Sequence, residues 1–205
     1  MSSTVAGLTP DGRLKGAALA EFVRWYIGEH GLDALSDRVG LLPMTLQLEL
    51  GLDRSSPTLG ILASRWYDCR AIGVLLDAIV ADASPTESAT MADAAADAVM
   101  GATLSGVYRL LFEWLATPER YARFCDRLWR SYHDTGTMRI VHTAPKRAEC
   151  TITAWTGHHP FLCAVCRRSA EVIYREMGCA SVHTTRESCI AEGGDACRFV
   201  TQWSG

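Results

Sequence analysis

The chain has 205 residues, of which 48% are hydrophobic and 21% are charged, and its formal net charge is −3 at pH 7. This length is enough for one domain with a sizeable buried core and is short for two full domains. The composition is typical of a globular protein and contains no basic block, so nothing in it favours a nucleic-acid or anionic-membrane partner. Charged residues or glycines interrupt each apolar stretch before bilayer length, so no membrane span is predicted.

The distribution of the cysteines is the most informative part of the composition. Residues 1–12 are predicted to be a flexible N-terminus and lack the basic start and apolar run of a signal peptide, which favours a reducing, cytoplasmic location. Structural disulfides are rare there, so the eight cysteines need another explanation. Cys69 and Cys125 fall within helical patterns and are interpreted as small buried hydrophobes. The other six, all in the last third of the chain, are Cys150, Cys163, Cys166, Cys179, Cys189 and Cys197.

Residues 13–135 are predicted to be almost wholly helical. Apolar residues recur at helical spacing from Leu14 to Ile27, and Gly31 is a good stop for that helix. Ser84 and Glu87 have the spacing of a capping box, which places a helix start there. The further predicted helices are Leu32–Val39, a short one within 41–64, Tyr67–Ala83, one from Ser84 to Gly101, Thr103–Ala116, and one from Thr117 to about Gly136.

After Gly136 the pattern changes from helical spacing to short β-rich segments. Two hairpins are predicted, and one helix separates them in the sequence. The predicted segments are strands Met138–Thr143 and Glu149–Thr156, helix Pro160–Met177, and strands Ala180–Cys189 and Cys197–Trp203, the last two joined by a Gly193-Gly194-Asp195 turn. The predicted fold class is therefore α+β. A single domain (13–205) has N-terminal helices (13–135) packed on a small four-stranded antiparallel sheet of sequence order β-β-α-β-β (136–205).

Candidate functional side chains gather at the junction before the Pro160–Met177 helix and at the last turn. Cys163 lies at the start of that helix. Cys189 and Cys197 flank a tight glycine turn between paired strands, so the side chains of these two cysteines could converge. Other residues of the junction combine aromatic surface with hydrogen-bonding groups, which suits contact with a small ligand. These candidate ligand-binding residues are Trp155, His158, His159 and Phe161.

The helix that opens with a cysteine, followed by Cys189-x7-Cys197 with Gly194-Asp195 inside it, resembles the 4-vinyl reductase domain family. The resemblance implies the ligand-binding fold shared by bacterial phenol sensors and small subunits of trafficking complexes. It also implies a zinc site in which Cys163, Cys189 and Cys197 are ligands. The carboxylate of that site has no counterpart, because Arg186 occupies its position and Glu187 comes one residue later, on the opposite face of a strand. The possible fourth ligands are Cys166, His158, His159 and Glu187.

These features favour a sensor or carrier domain that binds a small hydrophobic or aromatic ligand and acts through a protein partner or a dimer. The resemblance implies a homodimer. Two alternatives stay open: a protein-interaction or assembly module with a vestigial pocket, and an accessory factor in tetrapyrrole metabolism. No serine elbow, HExxH or paired-carboxylate motif is present, so the sequence favours a function other than catalysis.

Overall fold

The computed structural model describes residues 12–105 and 117–204. The helices before the main sheet are α1 (Gly16–His30), α2 (Leu32–Gly40), α3 (Met44–Leu50), α4 (Cys69–Val80), α5 (Pro85–Ser105) and α6 (Pro118–Tyr132). Two three-residue strands, β1 (Arg13–Lys15) and β2 (Trp66–Asp68), pair with each other beside them. The remaining elements are β3 (Thr137–Ala144), β4 (Arg147–Thr153), α7 (Pro160–Glu176), β5 (Ala180–Ser188), a 3₁₀ turn (Ile190–Glu192) and β6 (Ala196–Ser204).

The predicted α+β class is confirmed. The main sheet has the order β3-β4-β6-β5, and all its neighbouring strands are antiparallel. The two predicted hairpins are β3–β4 and β5–β6, and α7 separates them in the sequence. The strands that sequence analysis missed, β1 and β2, are too short to show an alternating pattern.

Local signals set several helix starts. The predicted capping box is present, because the Glu87 backbone N–H donates to Ser84 Oγ while Glu87 Oε2 accepts from the Ser84 backbone N–H. At the start of α7, Pro160 occupies the first turn and His159 Nδ1 accepts from the Phe161 backbone N–H. The helix predicted over Thr103–Ala116 and the predicted flexible terminus lie largely outside the described residues.

Three buried clusters hold the fold together. The first fills the space among the helices, and Phe161 of α7 reaches into it with its ring centroid 5.6 Å from that of Phe22. The second lies between the start of α7 and strands β4 and β6, and contains Trp129, Ile152, Trp155, Cys163, Cys189, Cys197 and Phe199. The third, around Tyr121 and Tyr174, lies under the other end of the sheet. The cysteine-rich cluster therefore sits between the sheet and the start of α7.

Candidate metal centre

Three elements bring one imidazole and three thiols together. His158 precedes α7, Cys163 lies in its first turns, Cys189 follows β5, and Cys197 is the second residue of β6. Their four donor atoms all lie within 4.8 Å of one another. We call these residues the thiol–imidazole cluster: His158, Cys163, Cys189 and Cys197.

The distances within the cluster are those of a tetrahedral metal site. Cys163 Sγ lies 3.6 Å from Cys197 Sγ and 3.7 Å from Cys189 Sγ. The Cys189 sulfur is 3.4 Å from His158 Nε2. Zn–S bonds of about 2.3 Å in tetrahedral geometry put two sulfurs about 3.8 Å apart, so the observed spacing leaves room for one ion. All three cysteines are almost fully buried, with exposed fractions of 0%, 1% and 0% for Cys163, Cys189 and Cys197.

The turn between Cys189 and Cys197 positions two of the sulfurs. Cys189 O accepts hydrogen bonds from the backbone N–H groups of Glu192 and Gly194. Gly193 has a φ of 85°, and a Cβ at Gly194 would lie 2.9 Å from Cys189 O, so the predicted glycine turn is sterically required. The chain folds back tightly enough to present both sulfurs to the same point.

The cluster favours a thiolate at Cys197. A hydrogen bond from the Cys163 thiol lowers the pKa of Cys197, and hydrogen bonds from His158 and the Ile190 backbone N–H lower it further. The same hydrogen bond, together with burial, raises the pKa of Cys163. A cysteine binds a metal as its thiolate, so the lowered pKa of Cys197 favours coordination by this residue.

Of the four candidates for the fourth position, one lies beside the three cysteines. His158 completes the cluster, whereas Cys166 and Glu187 lie outside it. Glu187 is exposed on the outer face of the sheet, where it lines a depression of about 160 Å³ with Arg198. The expectation that a one-residue shift along the strand would turn this carboxylate to the other face is therefore confirmed. Neither Glu187 nor Cys166 is therefore part of the thiol–imidazole cluster.

The four predicted ligand-binding residues follow one another along the chain but face different neighbours. Trp155 is buried, with its ring centroid 4.9 Å from that of Trp129 and 5.0 Å from that of His158. His159 uses both ring nitrogens, one at the start of α7 and one 3.1 Å from Asp77 Oδ1. Phe161 packs in the helical core. That the four contact one ligand stays a prediction.

Comparison with solved structures identifies the fold as that of H-NOX (heme-nitric oxide/oxygen binding) domains. The Fe(II) unliganded H-NOX protein from K. algicida matches with a TM-score of 0.67 and 12% identity over 94% of this chain and 97% of that chain. The S. oneidensis H-NOX protein in its Fe(II)NO state matches with a TM-score of 0.66 and 10% identity over 94% and 100% of the two chains. An oxygen-binding H-NOX domain related to soluble guanylate cyclases gives 0.60 and 5% over 94% and 96%.

At these identities the likeness shows the fold alone. No protein-family model and no curated protein matches the sequence. The resemblance to the 4-vinyl reductase domain family is therefore wrong, since H-NOX structures match 94% of the chain. The resemblance depended on Cys189-x7-Cys197 and its glycine turn, and such a turn is what any hairpin needs to aim two sulfurs at one point.

The fold family implies a heme, and the described residues do not fit one. All six histidines of the chain are described. Four of them have polar partners: His142 with Pro118 O, His158 with the cluster, His159 with Asp77, and His183 with Glu171. His133 is stacked on Trp129 with the ring centroids 3.8 Å apart, which leaves no space for a porphyrin over that face.

His30 is the remaining histidine, and it lines a groove of about 540 Å³ between α1 and α2. The groove is open at the surface, and Asp37 and Arg38 form part of its wall. A porphyrin needs enclosing apolar walls, which this groove lacks. Among the described residues, the cluster is therefore the better candidate for a functional centre.

Proposed function

We propose that this protein is a zinc-binding domain in which one Zn²⁺, held by the thiol–imidazole cluster, fixes the β5–β6 hairpin to the start of α7. The convergence of four donor atoms within 4.8 Å carries the proposal. Three thiolates and one imidazole are a common ligand set for structural zinc. The donors come from both sides of the hairpin turn and from the α7 junction, so the ion would cross-link segments distant in the sequence.

The zinc would have a structural and not a catalytic role. Four protein donors fill a tetrahedral shell, whereas catalytic zinc keeps one position for water or substrate. The burial of the three sulfurs also keeps water from the ion. We infer that the domain acts by binding, as a sensor that passes its signal to a protein partner or to a second copy of the chain.

A small ligand beside the metal centre remains part of the proposal. His133 Nδ1 and Trp155 Nε1 are buried and have no hydrogen-bond partner among the described residues. Buried polar groups are normally paired, so two unpaired ring nitrogens on neighbouring rings would suit a small hydroxyl-bearing molecule.

Elemental analysis of protein purified without added metal tests the zinc proposal. We expect about one zinc per chain, and we expect Cys197→Ser and His158→Ala to lower the zinc affinity at least tenfold, since each removes a ligand. Cys166→Ser is the control. It changes a thiol of α7, the helix that carries Cys163, but Cys166 lies outside the cluster, so the zinc content should be unchanged. Wild-type protein that binds no zinc at micromolar concentrations would overturn the proposal.

A further inference from the structure

Arg186 occupies the position where a carboxylate ligand was expected, and it faces the metal centre. In the β5–β6 register Arg186 lies directly opposite Phe199. Directly opposed residues of two strands point to the same face of a sheet. Because Phe199 is buried with the three cysteines of the cluster, the Arg186 side chain leaves the strand on the cluster's side.

Arg186 lies near the cluster and contacts the loop between two of its cysteines. Its guanidinium lies near enough to the Cys189 and Cys163 sulfurs for electrostatic interaction with them. It also forms an ion pair with Glu192, which lies on the 3₁₀ turn between Cys189 and Cys197. A β-bulge between Arg186 and Ser188 sets the strand geometry at this point.

The negative charge of a zinc-loaded cluster would favour a cation at the position of Arg186. One Zn²⁺ with three thiolates and a neutral imidazole carries a net charge of −1, and burying an uncompensated charge is costly. Arginine is well suited to a partly buried ion pair because its guanidinium is weakly hydrated and always charged.

We propose that Arg186 supports the metal centre by placing a positive charge on the cluster's side of the sheet, which offsets the negative charge of the loaded cluster. The inference rests on the proposed zinc function and adds to it.

The test compares Arg186→Gln with Arg198→Gln by chelator competition for zinc at fixed pH. Arg198 is the matched control, because it lies on the outer face of β6 and pairs with the exposed Asp195 of the same hairpin. We expect Arg186→Gln to weaken zinc binding about tenfold, as outer-shell substitutions do, with Arg186→Lys restoring part of the affinity. We expect Arg198→Gln to bind as the wild type does.

Two further measurements separate a role in metal binding from a role in folding. The Co²⁺-substituted Arg186→Gln protein should keep the wild-type thiolate-to-metal absorption, and its metal-free form should unfold at the wild-type midpoint. Wild-type zinc affinity in Arg186→Gln would overturn the inference while leaving the zinc proposal intact. Absence of zinc from the wild type would instead overturn the proposed function.

Glu192→Gln keeps the inference testable if Arg186→Gln does not fold. This substitution removes the carboxylate that competes with the sulfurs for the guanidinium, so zinc affinity should be maintained or increase. A tenfold fall in the affinity of Glu192→Gln would overturn the charge role of Arg186, because it would show that the ion pair matters only for ordering the loop.

Discussion

His133 is a buried histidine that stays neutral. It is 8% exposed, and burial lowers its pKa to about 3. In the unfolded chain the imidazole takes up a proton near pH 6.5. Between these two values the unfolded state binds more protons than the folded state, so the free energy of unfolding falls as the pH falls.

We expect His133→Phe to weaken this acid sensitivity, because phenylalanine keeps an aromatic ring against Trp129 but cannot be protonated. The contribution of His133 is at most about 1.4 kcal/mol per pH unit below pH 6.5. Urea unfolding of both proteins at pH 7, 6 and 5, in the presence of a metal chelator, measures the difference. Parallel pH dependence in the two proteins would contradict the prediction.

At the level of elements, a buried carboxylate joins α7 to α5 and β5. Glu171 is 4% exposed and accepts a hydrogen bond from the Thr184 backbone N–H of β5. Arg167 and Arg168 pair with it and with α5, through Asp93 and Asp97. Since α7 also carries Cys163, this network sets how the metal centre is placed against the helices.

We expect Glu171→Gln to lower the free energy of unfolding by about 3 kcal/mol, because it removes the buried charge of these ion pairs and can turn an amide N–H₂ group toward the guanidinium groups. Glu176→Gln is the control, since Glu176 is exposed at the end of the same helix, and its effect should be within about 0.5 kcal/mol. Chemical denaturation measures both. The zinc content should be the same in both variants; equal stabilities would contradict the structural role of Glu171.

At the scale of the whole molecule, the fold is that of H-NOX proteins, and side chains fill the helical core. The helical core is filled by side chains where Phe161 meets Phe22. None of the described helices has the length and apolar character needed to cross a bilayer. The sheet and α7 instead enclose the thiol–imidazole cluster.

We expect this protein to bind no heme, because the groove that His30 lines is open and lacks enclosing apolar walls, and the other five histidines contact neighbouring groups. Native mass spectrometry after incubation with hemin measures this directly, and the S. oneidensis H-NOX protein serves as the positive control. A complex of one heme per chain would contradict the prediction.

The same measurement with small phenols tests the ligand proposal, and Trp155→Phe should abolish any complex that depends on the Trp155 ring nitrogen.

The sequence by itself determined the class of fold and most of its elements. Helical spacing before Gly136 and alternation after it follow from which faces are buried, and local groups such as Ser84 and Glu87 determine helix starts. The approach of Cys189 to Cys197 was also predictable, because a tight glycine turn returns one strand beside another. These features depend on residues close together in the chain.

Only the tertiary structure showed that His158 lies beside the three cysteines, that Arg186 faces the cluster, and that the fold is the H-NOX fold. His158 is 31 residues from Cys189, and their contact depends on how α7 packs on the sheet. Arg186 faces inward because the strand register places it opposite Phe199. Interactions between distant segments leave no periodic signal in a single sequence, which is why a short cysteine motif indicated the wrong family while the three-dimensional arrangement identified the H-NOX fold.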